Sequence, residues 1–150
     1  MSTEIYYFSS TGNSLVVARE IAERTGGTLV SISSLIDRDE IDTRADAIGF
    51  VFPVYYASLG GSGLPRLVEE FVAKVQDLGS KYVFAVCTHS GGPGDTIENL
   101  DRLVRAGGGR LAAGFGLRTG VPYSASAKIK HLLLDRELAL DRAADGAKRR

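Results

Sequence analysis

Ile5-Tyr6-Tyr7-Phe8 runs directly into Ser9-Ser10-Thr11-Gly12-Asn13-Ser14 near the N-terminus, and this stretch indicates how the chain folds. A short, continuous apolar and aromatic run predicts a buried strand. Apolar side chains then recur at helical spacing, at Leu15, Val17, Ala18, Ile21 and Ala22. The polar residues between these segments therefore join the end of a strand to the N-terminus of an amphipathic helix.

This junction has the chemistry of an anion-binding site. The N–H groups of the first helical turn lack intrahelical partners and lie at the positive end of the helix dipole. Ser and Thr hydroxyls add donors, and Gly12 lets the backbone approach a ligand closely. The loop has neither the lysine of a Walker-type loop nor a GxGxxG fingerprint, so a single terminal phosphate is the expected ligand. A serine-rich helix cap without a ligand is the alternative.

The rest of the chain alternates between strands and helices. Four more strands are predicted at Thr28–Ser33, Ala47–Phe52, Tyr82–Cys87 and Leu111–Leu117. Helices are predicted from Leu64 to Val75 with Pro65 in the first turn, from a capping box at Asp95 and Glu98 to Val104, and from Ser126 onwards. The charged segment Asp37–Asp46 is expected to be a solvated connection. This alternation predicts one α/β domain over residues 1–150, a doubly wound five-stranded parallel sheet with helices on both faces.

Two further loops, after the third and fourth predicted strands, have unusual compositions. Ligands bind open α/β sheets beyond the carboxyl ends of the strands, where the strand order reverses. The loop Pro53–Gly63 is rich in glycine and carries adjacent tyrosines, whose exposed rings need a surface to cover. The loop Thr88–Asp95 combines glycines with side-chain donors. The flat isoalloxazine ring of a flavin is a ligand of the expected kind.

Composition and charge narrow the function classes. The chain of 150 residues has no net charge, but residues 1–100 carry 7 Lys/Arg against 13 Asp/Glu, and residues 101–150 carry 11 against 5. Cations in the basic part are interspersed with acidic residues, which favours a solvated helix over nucleic-acid binding. A single cysteine excludes an internal disulfide, and we expect neither a signal peptide nor membrane insertion. These features predict a cytoplasmic protein without a metal site.

The quoted segments resemble the flavodoxin superfamily, and most closely the flavodoxin-like domains that precede a bacterial-type ferredoxin. The similarity covers nearly the whole chain in topology. It is carried in motif by Tyr7–Ser14, Pro53-Val54-Tyr55, Leu64-Pro65-Arg66 with Val68–Phe71, and Thr88–Gly94. The resemblance implies the strand order 2-1-3-4-5 and FMN as the cofactor. No cysteine run of the ferredoxin type follows in this sequence, so we expect either a stand-alone homologue without the ferredoxin half or an isolated domain.

The resemblance also implies which residues contact FMN, and it implies no catalytic residue and no metal ligand. Ser9, Ser10, Thr11, Gly12, Asn13 and Ser14 would bind the phosphate. One side of the ring would meet Pro53, Val54, Tyr55 and Tyr56. The other side, or the pyrimidine edge, would meet Thr88, His89, Ser90 and Gly91.

Single residues argue against two other functions, a cysteine-dependent phosphatase and a receiver domain. Cys87 is expected to be a small core residue, because a phosphatase-type cysteine would need an arginine where Pro93 stands. A receiver domain of the same fold would need acidic residues where Phe8-Ser9 ends the first strand. The chain lacks the tryptophan that classical flavodoxins often stack on the ring. It also lacks their strong acidity, and this neutral charge argues against a very low hydroquinone potential.

Three functions remain open. The first is an electron-transfer module in which FMN exchanges electrons with redox partner proteins, such as a ferredoxin, a reductase or an acceptor enzyme. The second is an FMN-dependent oxidoreductase acting on a small substrate, of the quinone reductase or protoporphyrinogen oxidase kind, with Leu59–Gly63 as a lid over the ring. The third is a domain without flavin that serves protein–protein contacts.

Overall fold

The computed structural model describes residues 1–10, 12–55 and 61–119, and these form an open parallel sheet with helices on both faces. The sheet has the strand order β2-β1-β3-β4-β5, with every neighbouring pair parallel. The predicted α/β fold and strand order are confirmed. The elements in chain order are β1 Thr3–Tyr7, α1 Asn13–Thr25, β2 Thr28–Ser31, β3 Ala47–Pro53, α2 Arg66–Lys74, β4 Tyr82–His89, α3 Thr96–Ala106 and β5 Leu111–Arg118.

The core lies in two layers, one on each face of the sheet. α1 packs on one face, where Val17, Ala18 and Ile21 meet apolar residues of β1, β3, β4 and β5. α2 and α3 pack on the other face against a cluster that includes Phe50 and Phe52 of β3. β3 is buried from Ala47 to Phe52, as expected of a central strand covered on both sides. This three-layer arrangement holds the carboxyl ends of the five strands in fixed register.

The helices begin and end close to their predicted positions, with three differences. Leu15, predicted on the core face of α1, is only half-buried, and Ser14 takes a buried position on that face. Pro65 is the N-cap of α2 and precedes its first turn. The predicted capping box of α3 is wrong, because Asp95 is the N-cap but makes no side-chain capping bond. The core face of α3 is confirmed by Leu100 and Val104, both 0% exposed.

The connection between β2 and β3 differs more from its prediction. β2 ends at Ser31, and a 3₁₀ helix follows at Ile32–Ser34. The segment 37–46 is largely exposed, but Ile41 is 2% exposed and forms a parallel bridge with Val75. The predicted helix from Ser126 onwards lies outside the described residues. Within the described part of the chain, no helix has the length and apolar character to cross a membrane.

Candidate functional site

The candidate site lies at the carboxyl edge of the sheet, where β1 and β3 diverge into their loops. The chain leaves β1 for β2 on one side and returns to β3 on the other, so the strand order reverses at β1. Ligand crevices form at such a reversal in open α/β sheets. Immediately beyond β1, the N–H of Phe8 donates to the carbonyl of Val51 at 3.0 Å. The loops after β1, β3 and β4 therefore start from one rigid edge.

The loop after β1 turns into α1 through a left-handed glycine. Gly12 is the N-cap of α1, and its φ of 92° is a conformation that favours glycine. Its N–H donates to Ser9 Oγ at 3.1 Å, and its carbonyl accepts the N–H of Val16 at 3.1 Å. Thr11 lies outside the described residues. No described side chain caps the first turn of α1. The N–H groups of such a helix end can bind an anion.

Ser14 and Asn13 connect the start of α1 to the far side of the sheet edge. Ser14 Oγ lies 2.9 Å from Thr88 Oγ1, and the two residues are 2% and 3% exposed. Asn13 is exposed, and its Nδ2 lies 3.5 Å from Thr119 Oγ1, just beyond β5. The Ser14 hydroxyl thus faces β4. Ser9 is half-buried and Ser10 is exposed at the opening of the loop.

Of the predicted ring-binding residues, Pro53 is the last residue of β3, and Val54 and Tyr55 follow it directly. Pro53 pairs with Thr88, and the N–H of Val54 donates to the carbonyl of Thr88 at 2.8 Å. The N–H of Tyr55 donates to the carbonyl of Gly63 at 2.7 Å, which closes the loop in an antiparallel bridge. Tyr56 and the residues up to 60 lie outside the described residues.

An aromatic pair lies at the crevice itself. The rings of Phe8 and Tyr55 pack edge to face, with centroids 6.1 Å apart and planes at 83°. Both residues are partly exposed. Phe8 follows β1 and Tyr55 follows β3, so the pair joins the two strands between which the order reverses. Phe8 was predicted only as the last residue of the strand, because no local sequence pattern pairs it with Tyr55.

β4 is longer than predicted, and this changes how Thr88 and His89 are placed. The predicted boundary at Cys87 is wrong, since the strand continues to His89. Adjacent strand residues point to opposite faces. The side chain of Thr88 points to the face covered by α1, where it contacts Ser14, so that of His89 points to the opposite face. His89 pairs with Arg118 of β5, and its carbonyl accepts the N–H of Thr119 at 2.7 Å.

The loop proper after β4 begins at Ser90. Ser90 and Gly91 are exposed, and a Cβ added at Gly91 or Gly92 would meet nothing within 4 Å. Gly92 has a φ of 146°. The backbone of this loop can therefore approach a flat ligand without a side chain intervening. Just before the loop, burial raises the pKa of the Cys87 thiol to about 12. The thiol stays neutral at ordinary pH, which supports its interpretation as a core residue.

Among known proteins, one family model matches this chain and several solved structures share its fold. The model of the flavodoxin domain family matches residues 4–114. No protein with a curated description matches the chain. Solved structures that share the fold include two-electron reduced flavodoxin from Megasphaera elsdenii, at 20% identity and a TM-score of 0.59, covering 95% of this chain and 98% of that one. Oxidised flavodoxin 1 from Bacillus cereus has 16% identity, a TM-score of 0.56 and coverages of 99% and 98%. A flavodoxin from the domain Archaea has 17% identity, a TM-score of 0.58 and coverages of 97% and 98%.

Proposed function

The chain belongs to the flavodoxin domain family, and from that premise we propose that it binds FMN and carries electrons between redox proteins. The family implies a flavin cofactor. The observation that supports FMN in particular is the α1 N-terminus, which begins at a left-handed Gly12 and carries no described side-chain cap. An FMN phosphate is the part of the cofactor that such a helix end would bind.

We assign the phosphate to the segment from Ser9 to Ser14. The N–H groups in the first turn of α1 and the exposed hydroxyl of Ser10 supply the donors, and the helix dipole favours the negative charge. The Ser14 hydroxyl is engaged with Thr88, so Ser14 contributes through its backbone N–H. Thr11 keeps its predicted role as a phosphate ligand.

We assign the isoalloxazine ring to the loops after β3 and β4. Tyr55 supplies an aromatic surface beside Phe8, and the exposed backbone at Ser90 and Gly91 supplies polar groups for the ring edge. The roles of Pro53, Val54, Tyr56, Thr88 and His89 as ring contacts stay predictions. Bound FMN supplies reversible electron acceptance, and the residues of this chain bind it, orient it and shield part of it from water.

The proposed partners are redox proteins, such as a ferredoxin, a reductase or an acceptor enzyme, which exchange electrons with the exposed part of the flavin. A cytoplasmic location, one domain over residues 1–150 and kinship to ferredoxin-fused proteins stay predictions from the sequence.

Titration with FMN and with riboflavin tests the binding proposal, because riboflavin has the ring but lacks the phosphate. We expect saturable quenching of flavin fluorescence and tighter binding of FMN. Ser10→Glu adds a negative charge at the phosphate site, so it should weaken FMN at least tenfold and leave riboflavin unchanged. Gln76→Glu is the control, because it adds the same charge at an exposed position after α2, at the opposite edge of the sheet. It should leave the affinity for both flavins unchanged. If the protein binds neither FMN nor riboflavin, the proposal is refuted.

A turnover assay separates the carrier from the oxidoreductase. A carrier should exchange electrons with a redox partner protein but show no sustained oxidation of NADH or NADPH with a quinone. Steady turnover with a small substrate, dependent on added FMN, would replace the carrier proposal with the oxidoreductase alternative.

A further inference from the structure

The loop after β3 (residues 54–65, the β3 loop, of which the structure describes 54, 55 and 61–65) is held at its base by contacts that do not involve a ligand. The bridge between Tyr55 and Gly63 closes it. Next to Gly63, Ser62 Oγ donates to Glu69 Oε1 of α2 at 2.7 Å and accepts the N–H of Leu64 at 3.2 Å. The returning limb of the β3 loop is therefore held to α2.

The same limb is also held to α3. Asn99 Nδ2 donates to the carbonyl of Ser62 at 2.9 Å, across 37 residues of sequence. Arg102 Nη1 donates to Asn99 Oδ1 at 3.0 Å, which orients the Asn99 amide so that its nitrogen faces Ser62. Asn99 is half-buried, so water competes only in part for these bonds.

A second contact lies directly beside the first. Gly63 has a φ of 80°, and a Cβ at this position would overlap the side chain of Thr96. Thr96 is 0% exposed, and its Oγ1 donates to the carbonyl of Pro93 at 2.5 Å. Pro93 belongs to the loop after β4 (residues 90–95, the β4 loop). One end of α3 thus contacts both loops.

We propose that Asn99 is a positioning residue for the flavin ring, which holds the β3 loop against the helix that also carries the β4 loop. This inference rests on the proposed function. The two loops start from neighbouring strands, and the contacts of Asn99 and Thr96 fix how far apart their bases lie. Without the Asn99 bond the returning limb (residues 61–65) is no longer held to α3, and the apparent ring affinity falls in proportion to the fraction of molecules that keep the binding-competent arrangement.

Asn99→Ala tests the proposal when FMN and riboflavin are titrated in parallel. Because the ring is common to both ligands, we expect both affinities to fall by a similar factor of about fivefold, the effect of one hydrogen bond. Asn99→Asp keeps the size but places an oxygen against the Ser62 carbonyl, so it should weaken both ligands at least as much. Ser10→Glu, in contrast, should weaken FMN alone.

Arg105→Ala is the matched control on the same helix. Arg105 pairs with Asp101 at 2.7 Å on an exposed surface of α3, and its loss should leave both flavin affinities unchanged. The visible circular dichroism of FMN at saturation gives a readout that stability alone does not move. We expect its bands to change in both Asn99 variants and to stay unchanged in Arg105→Ala.

The outcomes are distinct. If wild-type protein binds both flavins and the Asn99 variants match it in affinity and spectrum, the β3 loop is positioned without Asn99 and the inference is wrong. If Asn99→Ala weakens FMN but not riboflavin, Asn99 acts on the phosphate and the inference is also wrong. If wild-type protein binds neither flavin, the proposed function fails and the inference falls with it.

Discussion

The phosphate side and the ring side of the candidate site are built in different ways. On the phosphate side, the loop after β1 is shaped by near neighbours in sequence, such as Ser9 Oγ accepting the N–H of Gly12. On the ring side, the decisive contacts span long stretches of chain, such as Asn99 to Ser62. The turn through Gly12 is therefore a local motif that adjacent residues predict, although Ser14 and Asn13 at its end also contact distant residues. The ring side exists only after the sheet has brought distant segments together.

Gly63→Ala should break the ring side with the largest effect. Alanine at this position would have to adopt a left-handed backbone conformation, and its Cβ would overlap the side chain of Thr96. We therefore expect a loss of about 2–5 kcal/mol in the free energy of unfolding. Urea unfolding followed by circular dichroism measures it. Gly91→Ala is the control, because its Cβ meets nothing and its backbone is unstrained. A cost below that of the control would show that the β3 loop is not anchored at Gly63.

Ser14→Ala and Thr88→Val probe the one described hydroxyl pair that joins the two sides. Each single change leaves a buried hydroxyl without its partner, so each should cost about 1–3 kcal/mol of unfolding free energy. The double variant removes both hydroxyls and should cost clearly less than the sum. Chemical unfolding of all four proteins gives the coupling. Strictly additive costs would mean that the two sides are not joined through this bond.

Gly12→Ala should affect the phosphate side with a smaller loss of stability. The φ of 92° is unfavourable for alanine, but the added Cβ meets nothing within 4 Å. We expect about 1–2 kcal/mol of destabilisation, from backbone strain alone. The same unfolding assay checks it beside Gly63→Ala. A cost as large as that of Gly63→Ala would mean that the phosphate loop is packed as tightly as the ring side.

Asp101 offers the smallest effect and one that depends on pH. Burial raises the pKa of its carboxyl, but hydrogen bonds from Arg105 and from the N–H of Leu111 outweigh burial and lower it overall. A lowered folded pKa stabilises the protein above the unfolded pKa of about 3.9 and ceases to do so as pH falls through the folded value.

Asp101→Asn should therefore cost under about 1 kcal/mol at pH 7, because the pair is partly exposed and screened. The difference from wild type should shrink as the pH falls from the unfolded pKa through the folded pKa, and should be gone below it. Unfolding curves at several pH values test this, and a difference that grows at low pH would contradict it.

The contrast between the two sides also explains what the sequence could predict. The fold followed from periodicity, because each strand and helix has its own apolar pattern. The junction from β1 through Gly12 into α1 followed from adjacent residues, and its phosphate-binding role stays a prediction. The pairing of Phe8 with Tyr55 and the bond from Asn99 to Ser62 did not, since nothing near these residues in sequence marks their partners. The end of β4 was misplaced because Thr88 and His89 are polar residues inside a strand.

The bridge between Tyr55 and Gly63 has a consequence for how members of this fold can diversify. Its two strand-like residues fix both ends of the β3 loop independently of the segment between them. The entropy of closing a loop grows slowly, by about 0.6 kcal/mol for each doubling of its length. Insertions between these two residues should therefore be inexpensive for folding, and the bridge is a natural graft point for adding new recognition elements.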